Sequence, residues 1–163
     1  MGAWHLACLP FAVHSLAMLV DEAWFHRRRG LPRWERWGHP VDTLSVLSCY
    51  VLALAPPPYR NLWVYLAAAL FSALCVTKDE WIHAKYCEGG EMWLHAFLFT
   101  MHPVLLALLG LYAFAPSPSA AIDGGRAFFG LFLKGQAVLT ALFLLWQTFY
   151  WNGPWKRPEP AQA

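Results

Sequence analysis

Residues 93–114 read WLHAFLFTMHPVLLALLGLYAF. The stretch is 22 residues long and contains no Asp, Glu, Lys or Arg, so as a helix it is long enough to cross the hydrocarbon core of a bilayer. It nevertheless carries two histidines, His95 and His102, and Pro103, which predicts a kink. Ionisable side chains are costly in such a helix, and their presence predicts a functional site.

The composition of the whole chain agrees with this stretch. Of the 163 residues, 58% are apolar and only 13% are charged, and the mean hydropathy is +0.37. A soluble domain has roughly a quarter of its residues charged, so the sequence excludes a soluble globular protein and a disordered chain. The net charge of +2 also excludes a nucleic-acid-binding protein. The four cysteines have the spacing of neither a zinc site nor a disulfide framework.

The sequence therefore predicts an all-α integral membrane protein with five transmembrane helices. The predicted spans are residues 3–25, 40–55, 62–82, 93–114 and 127–150. Pro40 fits the first position of the second helix, where its missing N–H costs little. The spans form a single domain, residues 1–152, and residues 153–163 form a short cytoplasmic tail. We expect the first four helices to form a bundle, with the fifth helix outside it.

Basic residues predict the orientation of these spans. Five arginines follow the first span, and Lys85, Lys156 and Arg157 fall on the same side, whereas the opposite side holds Arg60 and Arg126. Basic loops stay in the cytoplasm, which predicts a multi-pass protein of a cell inner membrane with its N-terminus outside and its C-terminus inside. No basic segment precedes the first span, so we interpret it as a retained anchor and not as a cleaved signal peptide.

Most acids and histidines concentrate near the cytoplasmic ends of the first four spans. A charged group near hydrocarbon costs about 2.5–3.5 kcal/mol even on a mild scale, so several of them require a compensating partner. On the fourth span, Glu91, His95 and His102 fall within roughly 40° of one another around the helix axis. Similar stripes on the other three spans predict one polar site near the cytoplasmic end of the bundle.

Imidazoles and carboxylates together are typical ligands of first-row metals. The acids and histidines at the predicted site are too many for one tetrahedral zinc ion. The sequence predicts two divalent ions, with iron favoured and zinc the alternative. The predicted ligands are Glu22, His26, His39, Asp42, Glu80, His83, Glu91 and His95. Asp21 and Asp79, and in one interpretation His39, orient imidazoles or replace a ligand. His14 and His102 lie deeper, as further ligands or as a proton relay.

One pair resembles a known motif. Glu80-x-x-His83 is similar to the ferritin-like di-iron motif at that one position. The other pairs, Glu22-x-x-x-His26, Glu91-x-x-x-His95 and His39-x-x-Asp42, depart from it, so no function is carried over. The histidine boxes of membrane fatty-acid desaturases and hydroxylases are also missing from the sequence. A weak internal repeat relates residues 21–26 to residues 79–83.

Two classes of function remain open. The favoured class is a dimetal oxidoreductase, similar in chemistry to a hydroxylase or desaturase, that acts on an acyl chain, sterol, carotenoid or quinone. Its partners would be membrane lipids, the lipid-soluble substrate and an electron-donor protein. A zinc-dependent lipid hydrolase is the second enzymatic hypothesis, and no serine nucleophile motif is present for other hydrolytic chemistry. The other class is a metal or proton transporter, which His14 and His102 would serve. A polar network without a ligand is a third interpretation.

Overall fold

The computed structural model describes residues 2–78, 87–116 and 124–153, which are all-helical. Five helices lie within these ranges: α1, Ala3–Arg29; α2, Arg33–Leu54; α3, Leu62–Thr77; α4, Gly89–Phe114; and α5, Gly124–Asn152. A short 3₁₀ turn, Pro57–Tyr59, connects α2 to α3. Most of α1 is α-helical, but its turn Asp21–His26 is a π-helix. Gly30, with φ of 76°, allows the chain to leave α1 in a conformation that other residues rarely adopt.

Three of these helices, α1, α4 and α5, are long and apolar enough to cross a membrane. Helix α3 is apolar but only 16 residues long, and α2 carries several charged residues in its first half. The outer surface is apolar and the interior holds buried acids, histidines and glutamines. A surface of this kind is suited to lipid. The protein is thus a helical chain with three candidate membrane spans.

Helix α2 begins at Arg33, seven residues before the predicted start, so the prediction that Pro40 opens this helix is wrong. Pro40 lies inside α2 and has no N–H to donate to the carbonyl four residues earlier. The structure supplies a substitute, because the side-chain Nδ2 of Asn152 donates to the Arg36 carbonyl at 2.8 Å. This contact from α5 allows α2 to pass through the proline, and it places Glu35 on a helix.

Helix α5 does not lie outside the bundle, which corrects the prediction from the sequence. It packs along α2, which also contacts α3 and α4, and the start of α5 packs against the start of α1. Its inward side chains include Gln136, Gln147 and Trp151, all of them buried. In the sequence, Gln136, Thr140 and Gln147 share one face of α5, but the predicted bundle was chosen from the four spans that carry acids and histidines.

The bundle has an apolar end and a polar end. Aromatic and aliphatic residues from the start of α1, the end of α2 and the start of α5 form the core at one end, including Phe11, Tyr50, Phe129 and Leu133. The end of α1, the start of α2 and the start of α4 meet at the other end, where the buried side chains are acids and histidines. Because successive helices run in opposite directions, the end of one helix and the start of the next lie at the same end of the bundle.

Candidate metal centre

The π-helical turn of α1 arranges two carboxylates around one imidazole. The Nδ1 atom of His26 lies 3.4 Å from an oxygen of Glu22, and its Nε2 lies 3.3 Å from an oxygen of Asp21. In a regular α-helix, residues five apart differ by about 140° around the axis, so Asp21 and His26 would point apart. A π-helix closes its hydrogen bonds over five residues and brings them onto one side. Such turns are frequent at functional sites.

Helix α4 supplies a third carboxylate and a second imidazole to the same point. Glu91 and His95 are one turn apart in the first part of α4, and both are buried. The His95 Nε2 lies 3.1 Å from Asp21, and an oxygen of Glu91 lies 3.8 Å from the His26 Nε2. One potential ligand atom from each of Asp21, His26, Glu91 and His95 lies within 4.8 Å of all the others. These four buried groups could hold a metal ion.

A second group shares His26. Ligand atoms of His26, Glu35 and His39 also lie within 4.8 Å of one another, and the rings of His26 and His39 are 4.7 Å apart between centroids. Glu35 is completely buried. Glu35 was not predicted as a ligand, because the predicted second span begins at Pro40 and leaves Glu35 in a loop. The available signal was the spacing Glu35-x-x-x-His39, which repeats that of Glu22-x-x-x-His26 and Glu91-x-x-x-His95.

Arg29 connects the two groups. Its guanidinium donates to Glu35 at 2.8 Å and to Glu91 at 3.0 Å. From the sequence, Arg29 was counted among the arginines that predict the orientation, and the structure places its guanidinium between two buried carboxylates. The guanidinium offsets part of the negative charge of two buried carboxylates, which would otherwise be costly to remove from water.

Glu22 receives its hydrogen bond from α5. The indole Nε1 of Trp151 donates to the Glu22 Oε1 at 2.5 Å, and both side chains are buried. This contact fixes the carboxylate beside His26 and fastens the end of α5 to the end of α1. The indole brings no positive charge to Glu22, so a positive charge nearby would offset the cost of burying this carboxylate.

One nitrogen at the centre of the cluster makes no hydrogen bond among the described residues. It is the Nε2 atom of His26, which is fully shielded from solvent although carboxylate oxygens of Asp21 and Glu91 lie 3.3 and 3.8 Å away. Buried polar atoms usually have a partner. A nitrogen and two carboxylate oxygens within 4.8 Å of one another, with no hydrogen bond at the nitrogen, are the donor types expected around a metal ion.

A cavity of about 570 Å³ opens onto this cluster. Asp21, Glu22, His39 and His95 line its polar end. From there the cavity runs between the helices past His14 and His102 toward apolar side chains, which include Phe11, Leu105, Leu106 and Leu109. Its volume is in the range of small-molecule sites, and its walls are mainly apolar.

The other predicted site residues have different positions. Asp42 forms an ion pair with Lys78, at 2.5 Å between Nζ and Oδ2, and is not in either group of potential ligands. His14 and His102 face each other across the cavity with ring centroids 6.5 Å apart, and the Nε2 of His102 is 3.0 Å from the Ser72 hydroxyl. Asp79, Glu80 and His83 lie outside the described residues, as does one half of the predicted repeat.

Cys87 lies between α3 and α4, close to the cluster. Burial and the negative charge of Glu91 raise the pKa of its thiol above the ordinary value, and Arg29 opposes this only in part. The thiol is therefore protonated at neutral pH when no metal is bound.

Comparisons with known proteins give no family for this chain. No family model matches it, and no similar chain was found among the curated proteins or the solved structures. The function of this chain is therefore inferred from the geometry and chemistry of the site.

The hydrogen bond between α5 and Glu22 leads to a prediction about stability. Trp151→Phe keeps most of the buried ring but removes the N–H that Glu22 accepts from, which leaves a buried carboxylate oxygen without this donor. We expect the free energy of unfolding to fall by about 1–3 kcal/mol. Thermal unfolding of the purified protein measures the change. Trp63→Phe is the control. Because Trp63 is 78% exposed, its substitution should lower the free energy of unfolding far less. Equal effects of the two substitutions would contradict this role of Trp151.

Proposed function

We propose that this protein is a membrane-embedded dimetal oxidoreductase, with iron as the metal, that acts on a lipid-soluble substrate. The observation that carries the proposal is the buried cluster of acids and histidines at the polar end of a largely apolar cavity. Iron in such a cluster would supply the activation of oxygen. The chain would hold the metal and keep water away, and it would direct an apolar substrate toward the cluster.

The set of donors supports two ions. Four carboxylates, from Asp21, Glu22, Glu35 and Glu91, lie around three imidazoles, from His26, His39 and His95. Di-iron carboxylate bundles use a comparable set of four carboxylates and two imidazoles. The two groups of potential ligands share His26, so two ions held by them would be neighbours. In the structure Glu35 and Glu91 share the guanidinium of Arg29, which would move aside to leave Glu91 to the ion of the first group and Glu35 to the ion of the second.

The cavity supports a lipid-soluble substrate. It reaches the cluster at one end and is lined along much of its length by Leu, Phe, Met and Val side chains from α1, α2, α4 and α5. An acyl chain, sterol, carotenoid or quinone would gain free energy there from the burial of apolar surface. Oxidation of such a substrate also needs electrons, so the proposal includes an electron-donor protein that approaches from the cytoplasmic side.

The proposed membrane is a cell inner membrane, and the proposed orientation has the N-terminus outside and the C-terminus in the cytoplasm. The charges of the connecting segments support this orientation. The cluster would then lie near the cytoplasmic surface, because the end of α1, the start of α2 and the start of α4 meet there. This position would give metal ions and an electron donor a short route to the cluster.

The two alternatives have different support. A zinc-dependent lipid hydrolase would use the same acids and histidines, since zinc binds both. A transporter would need a polar route through the whole bundle. Among the described residues, the apolar core that includes Phe11, Tyr50 and Phe129 lies at the end opposite the cluster, which disfavours such a route.

The deciding experiment is elemental analysis of the wild-type protein, purified in detergent without added metal from cells grown with iron and zinc. We expect about two iron atoms per chain, as in di-iron carboxylate bundles. Zinc in their place would overturn the oxidoreductase in favour of the hydrolase. Protein that is folded but holds no first-row metal, even after dialysis against ferrous iron without oxygen, would overturn both enzymatic hypotheses.

A further inference from the structure

Gln147 on α5 lines the cavity and has an unused hydrogen-bonding group that is shielded from solvent. The residue is only 1% exposed. The Oε1 atom accepts a hydrogen bond from the Thr43 hydroxyl at 2.7 Å, but the Nε2 atom has no hydrogen-bond partner among the described residues. A buried amide N–H without an acceptor is costly, so its presence points to an acceptor that binds there.

The position of this amide relates it to the metal cluster. Gln147 lies one turn before Trp151, which bonds Glu22, and Thr43 lies one turn after His39 on α2. One turn of four residues is a rise of about 6 Å along a helix. Both residues therefore sit about one turn deeper in the bundle than the cluster, on the wall that a substrate would pass.

Gln136 provides a comparison within the same cavity. It also lies on α5, lines the cavity and is buried, but its Oε1 accepts from the Ser15 hydroxyl at 2.8 Å. Its Nε2 is not among the buried atoms that lack a partner. The Gln136 Nε2 has no hydrogen-bond partner among the described residues either, but it is not shielded from solvent. The Gln147 Nε2 is shielded, so the lack of an acceptor costs more there.

Beyond Gln147 most of the cavity wall is apolar, although His14, His102 and Gln136 also line it. Its walls there include Phe11, Tyr50, Leu105, Leu106 and Leu109. A ligand that fits has an apolar tail among these side chains, a hydrogen-bond-accepting oxygen opposite the amide, and a reacting end near the cluster about one helical turn away.

We propose that Gln147, held in place by Thr43, is a binding subsite for an oxygen of the substrate, and that the substrate is a lipid with a ring carbonyl, such as a ketone or a quinone. An unsubstituted hydrocarbon would leave the amide N–H without a partner and is disfavoured. The subsite rests on the proposed function for the identity of its ligand as a substrate. The binding of an oxygen-bearing lipid, however, needs no metal and is testable separately.

The test measures the binding of two matched probes to the metal-free protein in lipid nanodiscs. Decyl-benzoquinone quenches tryptophan fluorescence, and decylbenzene, which lacks both oxygens, is measured by its displacement of the quinone. We expect the wild type to bind the quinone at least about tenfold more tightly than decylbenzene, because the quinone accepts one hydrogen bond from an otherwise unpaired amide. Gln147→Met should weaken quinone binding about tenfold and leave decylbenzene within about threefold of the wild type.

Two further variants complete the design. Thr43→Val removes the hydroxyl that orients the amide, and quinone binding should weaken by a smaller factor than in Gln147→Met. Gln136→Met is the matched control and should leave quinone binding nearly unchanged. Equal affinity of the wild type for the two probes would overturn the proposal, and so would full quinone binding by a folded Gln147→Met protein. Because the protein in this test is metal-free, an absence of metal in the elemental analysis would overturn the proposed enzyme but not the subsite.

Discussion

The variant His26→Gln is expected to lose nearly all of its bound metal. His26 belongs to both groups of potential ligands, so its loss affects both proposed ions. Changes at residues that only orient a ligand cost about 10- to 100-fold in metal affinity, and loss of a shared ligand should cost at least as much. Glutamine keeps the side chain polar and of similar size, so the protein should still fold. Elemental analysis after purification gives the metal content, and any turnover of the substrate should disappear with it.

His5→Gln is the matched control for this experiment. His5 is an exposed histidine at the opposite end of α1 and belongs to neither group. Its variant should contain as much metal as the wild type. Wild-type metal content in a folded His26→Gln protein would refute the assignment of the cluster as a metal site, because the two groups meet only at His26.

The variant Arg29→Leu is expected to give the largest loss of stability in the metal-free protein. Its guanidinium bonds Glu35 and Glu91, which are 0% and 2% exposed, and leucine would leave both carboxylates without this positive charge. Removal of one partner from a buried ion pair costs about 3–5 kcal/mol. Thermal or denaturant unfolding of protein treated with a chelator measures the loss.

Arg28→Leu is the control. The Arg28 Cζ lies 3.3 Å from the centroid of the Trp24 ring on the surface, so this substitution should lower the free energy of unfolding by at most about 1 kcal/mol. Added ferrous iron should stabilise Arg29→Leu more than it stabilises the wild type, since the metal no longer has to displace the guanidinium. If Arg29→Leu were as stable as Arg28→Leu, the buried carboxylates would not depend on this arginine. If iron stabilised both proteins equally, Arg29 would not occupy the place of a cation.

Much of the site could be predicted from the sequence, because the cost of a charge in an apolar helix singles out the few residues that carry one. Glu22, His26, Glu91 and His95 were predicted in this way, and the structure brings them together with Asp21. Asp42 was predicted by the same argument but pairs with Lys78. Sequence spacing does not tell whether a buried carboxylate will face a metal ion or an ammonium group on another helix.

Glu35 was not predicted from the sequence. The predicted second span begins at Pro40, because a proline ordinarily does not lie inside a helix. The contact that allows it here comes from Asn152, more than one hundred residues away. The spacing of an acid four residues before a histidine recurs at Glu22, Glu35 and Glu91, and in the sequence it also occurs at Asp79 and His83. This recurrence would have been a better guide than the proline.

The amino-acid sequence alone determined that the chain is helical and apolar, with acids and histidines in one layer, because these properties depend on composition and on periodicity along one helix. The tertiary structure decided how the helices meet. It placed α5 inside the bundle, set Arg29 between two carboxylates and wound the end of α1 into a π-helical turn. These features depend on contacts between residues that are distant in the chain, and the energies of such contacts do not appear in any local pattern.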